Sequence, residues 1–267
     1  PDQSLDGSRA GGLHARSLEV LGQRGVVDRF LDAGTTHPAV GFAGIFLDVA
    51  DLPTRHPHLL ALWQRDVERI MADWVLGDLG APILRSTEVV DLHEDPEDVA
   101  VALSDGSTVR ARYVVGCDGG RSVVRRSAGI DFPGTEPSTI AILGEVEFTD
   151  DPPVGMRPEG GGIGPRHPGS GDGLYGAVIV EPYVEPAGEP TLDDLRAALV
   201  RAYGTDFGVH SPTWITRFTD ATRQAATYRQ GRVLLAGDAA HVHSPHGGQG
   251  LNVGLQDAVN LGWKLAQ

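Results

Sequence analysis

GRVLLAGDAAHVHSPHGGQGLN, residues 231–252, holds two patterns that compete for the reading of the chain. Arg232–Ala236 is a short apolar run that stops abruptly at Gly237-Asp238. That is the signature of a buried strand ending in an acid, which is well placed to accept ribose hydroxyls. Gly247, Gly248 and Gly250 then lead into a helical pattern from Asn252 to Gln267, carried by Leu255, Val259, Leu261 and Leu265 with Trp263. Strand, turn and helix in this order are the unit of an α/β sheet, in which ligands sit beyond the carboxyl ends of the strands. Backbone N–H groups at the start of such a helix favour a negative or electron-rich ligand edge.

The competing pattern is His241-x-His243-x-x-His246, three imidazoles of the kind that bind zinc. No H-x-H-x-D-H pattern supplies the further ligand. Pro245 and the glycines shape a backbone surface that a metal site does not require. The expectation is therefore a turn that cradles a cofactor, with no metal.

Two other stretches carry chemical information. Tyr113–Arg125, YVVGCDGGRSVVR, is a strand that ends in Gly-Cys-Asp-Gly-Gly before Ser122 and Arg125 open a helix. Its glycines permit close backbone approach, and Arg121 and Arg125 are candidates to meet phosphate. The bland alternative, a glycine-rich strand-to-helix turn with surface arginines, is equally compatible with so short a motif. Ser8–Ser17, SRAGGLHARS, places Arg9 and Arg16 on either side of Gly-Gly. Either could pair with phosphate, and a solvated basic pair is the simpler reading.

The rest of the chain supplies the frame. Its 267 residues suffice for one large domain or two smaller ones. The formal net charge of −14 argues against nucleic acid, whose phosphates need Lys and Arg to displace counterions. Cys117 is the one cysteine, so neither an internal disulfide nor a thiolate metal site is available, and a reducing cytoplasm is expected. No apolar run approaches the roughly 20 residues of a membrane span, and no signal peptide opens the chain.

Helices are expected over Leu13–Leu21 and Asp66–Leu79, the latter with Val67, Ile70, Met71, Trp74 and Val75 at helical spacing and Gly80 and Pro82 as its stop. Thr191-x-x-Asp194 resembles a capping box and predicts a third helix through Leu192, Leu195, Ala198 and Leu199. Gly41–Val49, Leu174–Glu181 and Trp214–Phe218 read as strands. Val99, Val101 and Leu103 alternate into a turn at Ser104–Ser107, and the alternation resumes through Val109, Ala111, Tyr113 and Val115. Residues 151–173 are dense in Pro and Gly and read as loops between short strands. The composite is an α/β domain with a β-rich (α+β) insertion.

Taken together in this order and spacing, SRAGGLHARSLEVL, GCDGGRSVVR and GRVLLAGDAAHVHSPHGGQGLNVGLQDAVNLGWKLA resemble the single-component FAD-dependent aromatic hydroxylases typified by p-hydroxybenzoate hydroxylase. The likeness is closest to the branch acting on aromatic polyketides and rifamycin-type antibiotics, and it runs along essentially the whole chain. It implies a partial Rossmann-like FAD-binding domain over 1–34, 62–134 and 222–267, with a β-rich substrate domain over 35–61 and 135–221. FAD is the implied cofactor and NADPH the co-substrate. By the same likeness Asp238 meets the ribityl or pyrophosphate region of FAD, and Pro245, Gly247, Gly250, Leu251 and Asn252 run along the isoalloxazine ring. Arg9 and Gln64 contact the cofactor, and Asp118 and Gly119 serve both FAD and NADPH.

The implied chemistry is insertion of one oxygen atom of O2 into an aromatic substrate through a flavin C4a-hydroperoxide. Pro245 and His246, near the expected ring position, are the candidate catalytic residues. Phe42, Phe46, Tyr175 and Trp214 are candidates to line a pocket, with core packing the simpler role for most of them. The chain departs from the family pattern at its start, since no G-x-G-x-x-G opens a βαβ unit and Pro1 replaces Met. The last helix also stops in mid-pattern. A piece of a longer protein, or a truncated homologue with weakened FAD binding, is expected. The alternatives are a non-catalytic remnant of the family and a metal hydrolase built on HVHSPH.

Overall fold

The computed structural model describes residues 10–42, 45–165, 173–186, 188–245 and 247–267. Its contacts divide the chain into one unit formed by Pro1–Gly134 and Thr222–Gln267 and another formed by Thr135–Ala221. The first unit opens with β1 (Gly12–Leu13), α1 (Ala15–Gly22), α2 (Val27–Leu31), β2 (Thr35–His37), β3 (Ala39–Phe42), β4 (Ile45–Asp48), β5 (Leu59–Ala61) and α3 (Gln64–Asp73). β5 is the centre of a three-stranded antiparallel sheet, pairing Leu60 with Leu13 on one side and with Thr36 on the other.

The amphipathic spacing of α1 and α3 aims Leu18, Leu21, Val67 and Ile70 at Leu13, Phe30 and Leu60, which together form a buried core. α3 begins two residues before the expected start. It runs on as a wider π-helical turn over Trp74–Asp78, and Gly80, at φ +63°, ends the pattern.

The single strand expected over Gly41–Val49 is instead half of a hairpin. β3 and β4 pair antiparallel, Val40 opposite Leu47. A continuous apolar run does not reveal a reversal of direction within it. Residues 35–61, which the family likeness assigns to the substrate domain, belong by their contacts to the first unit, because β2 and β5 complete the sheet begun by β1.

Next come β6 (Val89–Glu94), β7 (Val99–Leu103), β8 (Thr108–Ala111), β9 (Val114–Gly116) and α4 (Val123–Ser127). β6, β7 and β8 form an antiparallel meander, turned at Gly106 (φ +83°). The alternation from Val109 to Val115 is therefore cut in two. β8 stays in the meander, and β9 moves to a different sheet. The two-residue strand β10 (Gly134–Thr135) lies where the chain leaves the first unit.

The second unit is an antiparallel sheet with one helix on it. β11 (Thr139–Glu147), β12 (Gly155–Met156), β13 (Gly161–Pro165), β14 (Tyr175–Pro182) and β15 (His210–Thr219) stand in the order β12-β13-β14-β11-β15, and α5 (Leu192–Tyr203) buries Leu195, Ala198 and Leu199 against Ile142, Val146, Ala177 and Ile179. The capping box is present: Thr191 Oγ1 accepts from Asp194 N, and the Asp194 carboxylate accepts from Thr191 N at 2.8 Å. Tyr175 packs edge-to-face on Phe148 within this unit, so it has the packing role. Trp214 lies on β15, half-buried. The side chains of Phe42 and Phe46 lie outside what the structure describes.

The chain returns to the first unit with β16 (Thr222–Gln224), β17 (Arg229–Gln230), β18 (Val233–Leu235), β19 (His241–Val242) and α6 (Gln249–Leu265). β18 is the centre of the sheet that positions the site, antiparallel to β17 and parallel to β9. Val233, Leu235, Val124, Ile130, Ala239 and Ala240 join Val99 and Val101 in a second core of this unit. α6 begins at Gln249, three residues before the expected Asn252, so Gly250 lies within its first turn.

β9 reaches α4 closely at Gly116, where a Cβ would stand 2.8 Å from Val124 Cγ1 and 3.0 Å from Leu235 Cδ2. Gly116→Ala is expected to lower the stability of the first unit by about 1–3 kcal/mol through overpacking. Urea denaturation of the variant against the unsubstituted protein measures this.

Candidate functional site

Two parallel strands, β9 and β18, end side by side, and each hands over to a turn. After β18, Gly237–Ala239 forms a single 3-10 turn that starts at Gly237 with φ +60°. Ala236 N donates to Gly116 O at 3.0 Å, and Ala240 N donates to Gly237 O at 2.8 Å. Ala236, Ala239 and Ala240 are buried, while Asp238 between them is exposed. Its carboxylate makes no hydrogen bond or ion pair among the described residues. A carboxylate presented at a strand end by a fully anchored turn is free to accept hydrogen bonds from a ligand.

After β9, the middle motif folds on itself. Gly119 takes φ +81°, which a glycine adopts without cost. Ser122 caps α4, accepting from Arg125 N at 2.9 Å and donating to Asp118 Oδ1 at 2.5 Å. Asp118 Oδ2 accepts from Val124 N at 3.1 Å. Asp118 is thus engaged by its own helix start.

The structure corrects the expectation for Arg125. Its guanidinium is buried rather than offered to phosphate, donating to Ala239 O and Gly120 O at 2.8 Å each and lying 3.7 Å over the Phe132 ring. Arg125 ties the middle motif to the late one. Arg121 stays exposed.

The early motif meets the late one through Asn252, whose side chain is completely buried. Its Oδ1 accepts from His14 N at 2.8 Å and from Ser17 Oγ at 2.6 Å. Its Nδ2 donates to Gly12 O at 3.2 Å and Gly248 O at 2.9 Å. All four bonds of the amide are spent inside the protein, so Asn252 can face a ligand through its backbone only.

His14 adds a fifth tie, its Nε2 donating to Gly247 O at 3.2 Å. The Gly-Gly of the early motif packs flush on β5. A Cβ on Gly12 would stand 3.0 Å from Leu60 O, and one on Gly11 would stand 3.1 Å from the Trp63 ring. Gln64 closes this side: its N donates to Ala10 O at 2.9 Å, and Ala10 N donates to its Oε1 at 3.4 Å. Gln64 is therefore fastened to Ala10 by two hydrogen bonds. Arg9 and His246 themselves lie outside the described residues.

The glycine turn is open where the rest is crowded. Gly247 and Gly248 take φ +81° and +63°, Gly248 N donates to Pro245 O at 3.0 Å, and a Cβ on Gly250 would meet nothing within 4 Å. The N–H groups at the start of the 17-residue α6 open there. Leu251 turns its side chain inward against the first core.

His241 Nε2 donates to Asp257 Oδ2 at 2.6 Å, and His243 Nδ1 donates to Ser244 O at 2.8 Å. Among the described residues no group of three or more His, Cys, Asp or Glu side chains is placed to hold a metal ion. No helix among them is long and apolar enough to cross a membrane.

Sequence reasoning missed the internal work of Asn252, Arg125 and Asp257. Their partners lie 240, 114 and 20 residues away, and no local spacing encodes them.

A carboxylate at the end of β18 and an open glycine turn at the start of α6 are features of a nucleotide-cofactor fold of the flavoprotein kind. The chain belongs to the family described as FAD binding domain, which it matches over residues 2–267. It is 48% identical to a rifampicin monooxygenase of Streptomyces venezuelae over 97% of the chain and 56% of that protein. It is 38% identical to a dialkyldecalin synthase of Streptomyces rugosporus over 99% of the chain and 58% of that protein. Among solved structures, the anhydrotetracycline hydroxylase OxyS of Streptomyces rimosus superposes with a TM-score of 0.90 at 40% identity, covering 99% of this chain and 55% of that one. The chain spans little more than half the length of these relatives. The p-hydroxybenzoate hydroxylase-like fold implied by the motifs is the fold these relatives share.

Asn252→Ala removes the partner of two donors and two acceptors, of which the Ser17 hydroxyl is fully buried, and a loss of about 1–3 kcal/mol is expected in urea denaturation. Burial pushes the His14 imidazole below its ordinary value, opposed by its bonds to the backbone of Gly247 and Gly248. The folded chain therefore resists protonating His14, and the unfolded chain binds more protons. This contribution to stability is complete above the ordinary histidine value and is lost as the pH falls through the folded one. His14→Gln is expected to flatten the pH dependence of stability below the ordinary histidine value of 6.5 and to leave it unchanged above that value, read from urea midpoints.

Proposed function

We propose that the whole protein is an FAD-dependent monooxygenase that uses NADPH and O2 to place one oxygen atom on an aromatic, polyketide- or antibiotic-like small molecule. The observation that carries this reading is the pairing of an unpartnered Asp238 carboxylate with the open Gly247-Gly248 turn on one rigid strand-and-helix frame. The residues fit the cofactor. Asp238 would accept hydrogen bonds from ribityl hydroxyls. The backbone of Pro245, Gly247, Gly250, Leu251 and Asn252 would lie along the flavin ring, with the first amides of α6 stabilising negative charge on its edge.

Asp118 and Gly119 would serve the FAD and NADPH side of the site, and Arg9 and Gln64 would complete the cofactor contacts. His246 and Pro245 would stand nearest the reacting ring. Bound there, FAD supplies the redox and oxygen chemistry, and the protein supplies placement and electrostatics. The second unit, with residues 35–61, would hold the substrate. The setting would be cytoplasmic.

Purified full-length protein is expected to carry a flavin absorbance, or to regain one on reconstitution with FAD. NADPH oxidation is expected to accelerate several-fold with an aromatic polyketide, with one atom of labelled O2 in the product. A colourless protein that cannot be reconstituted would overturn the reading and leave a non-catalytic remnant. Bound FAD without NADPH consumption would overturn the monooxygenase reading and leave the cofactor site standing.

A further inference from the structure

Asp257 has a place in the site that none of the three motifs assigns to it. It lies on α6, two turns past the helix start, and its Oδ2 accepts two hydrogen bonds. One comes from Gly237 N at 2.9 Å, and the other from His241 Nε2 at 2.6 Å. These donors stand on either side of Asp238, at the first residue of the turn and just beyond its last. Both side chains of the pair are largely buried, His241 at 13% exposure and Asp257 at 23%. The His241 ring lies between those of Tyr228 and His243, with interplanar angles of 28° and 12°.

α6 can approach this closely because Gly237 and Gly254 face each other. A Cβ on Gly254 would stand 3.4 Å from Gly237 Cα. The far side of the turn is held by Arg125 on Ala239 O. The turn is therefore pinned at Gly237, Ala239 and His241, and the Asp238 carboxylate makes no hydrogen bond or ion pair among the described residues.

We propose that Asp257, through Gly237 N and His241, is a positioning residue that fixes the direction in which Asp238 presents its carboxylate to the cofactor. This rests on the reading of Asp238 as an FAD ligand. Two bonds on one carboxylate oxygen set both ends of the five-residue segment Gly237–His241. Without them the segment can rotate about Gly237, whose backbone is the least restricted of any residue. Asp238 then loses the aim that makes it a ligand rather than a surface charge. Asp257 touches no ligand in this account and acts through Asp238.

A double-mutant cycle on the full-length protein tests this, with FAD affinity read from flavin fluorescence on the apoprotein. Asp257→Ala and Asp238→Ala are each expected to weaken FAD about tenfold, and the double variant is expected to be no more than about threefold worse than the weaker single one. Asp257→Asn with its amide oxygen in the place of Oδ2 keeps one acceptor for both Gly237 N and His241 Nε2, so it is expected to bind FAD within about threefold of the unsubstituted protein. A merely structural defect would give neither the non-additivity nor the rescue. If Asp257→Ala does not fold, His241→Ala takes its place in the same cycle.

Affinity within about twofold of the unsubstituted protein for Asp257→Ala, or effects that multiply in the double variant, would overturn the inference. So would an Asp238→Ala variant that binds FAD normally. An unsubstituted protein that binds no FAD would instead sink the reading of the whole site, which is a different and separable result.

Discussion

The carboxamide of Asn252 is the constraint on which the site depends. It is fully buried, and each of its four hydrogen-bonding positions is filled by a group from a different part of the sequence or from the helix start it belongs to. A buried amide is tolerated only when satisfied in this way, because an unpaired polar group in a dry interior costs more than a hydrogen bond returns. The early glycine segment, α1 and the first turn of α6 must therefore all reach their places before any of them is stable there. The carbonyls of Gly247 and Gly248 are held in the same way, by His14 and by Asn252.

The other two junctions obey the same logic with different chemistry. Arg125 spends a buried cation on two carbonyls and the face of Phe132, joining the turns that follow β9 and β18. Asp257 spends a carboxylate on Gly237 N and His241, joining the second of those turns to α6. In each case a charged group is consumed in holding the turns rather than left for a ligand. Among the described residues of the site, those left outward include the Asp238 carboxylate, the Arg121 side chain, the open glycines and the amides at the start of α6. A site that leaves few groups free and holds them firmly avoids the cost of ordering them when a cofactor arrives.

Much of this was legible in the residues. A strand ending at Gly237-Asp238, a helix after Gly247-Gly248-x-Gly250 and the capping box at Thr191 all follow from local rules of period and backbone freedom. The errors have equally local causes. The apolar run Gly41–Val49 carries no mark of the reversal that makes it a hairpin. The alternation from Val109 to Val115 continues unbroken in side-chain pattern while the chain changes sheet at Arg112-Tyr113. Pattern reports which face of a strand is buried, and it does not report against what.

By itself, the sequence determined the order of strands and helices, the glycine turns and the candidate acid at the end of β18. These depend on residues within a few positions of one another. Tertiary structure alone decided which polar groups face outward. Asn252 and Arg125 read in sequence as candidates just as Asp238 does, and Asp257 carries no local mark at all, because whether a polar side chain serves a ligand or the fold depends on partners up to 240 residues away. Burial then enforces the choice: a group that the fold encloses must be paired by the fold, and the one left exposed is the one a ligand can use.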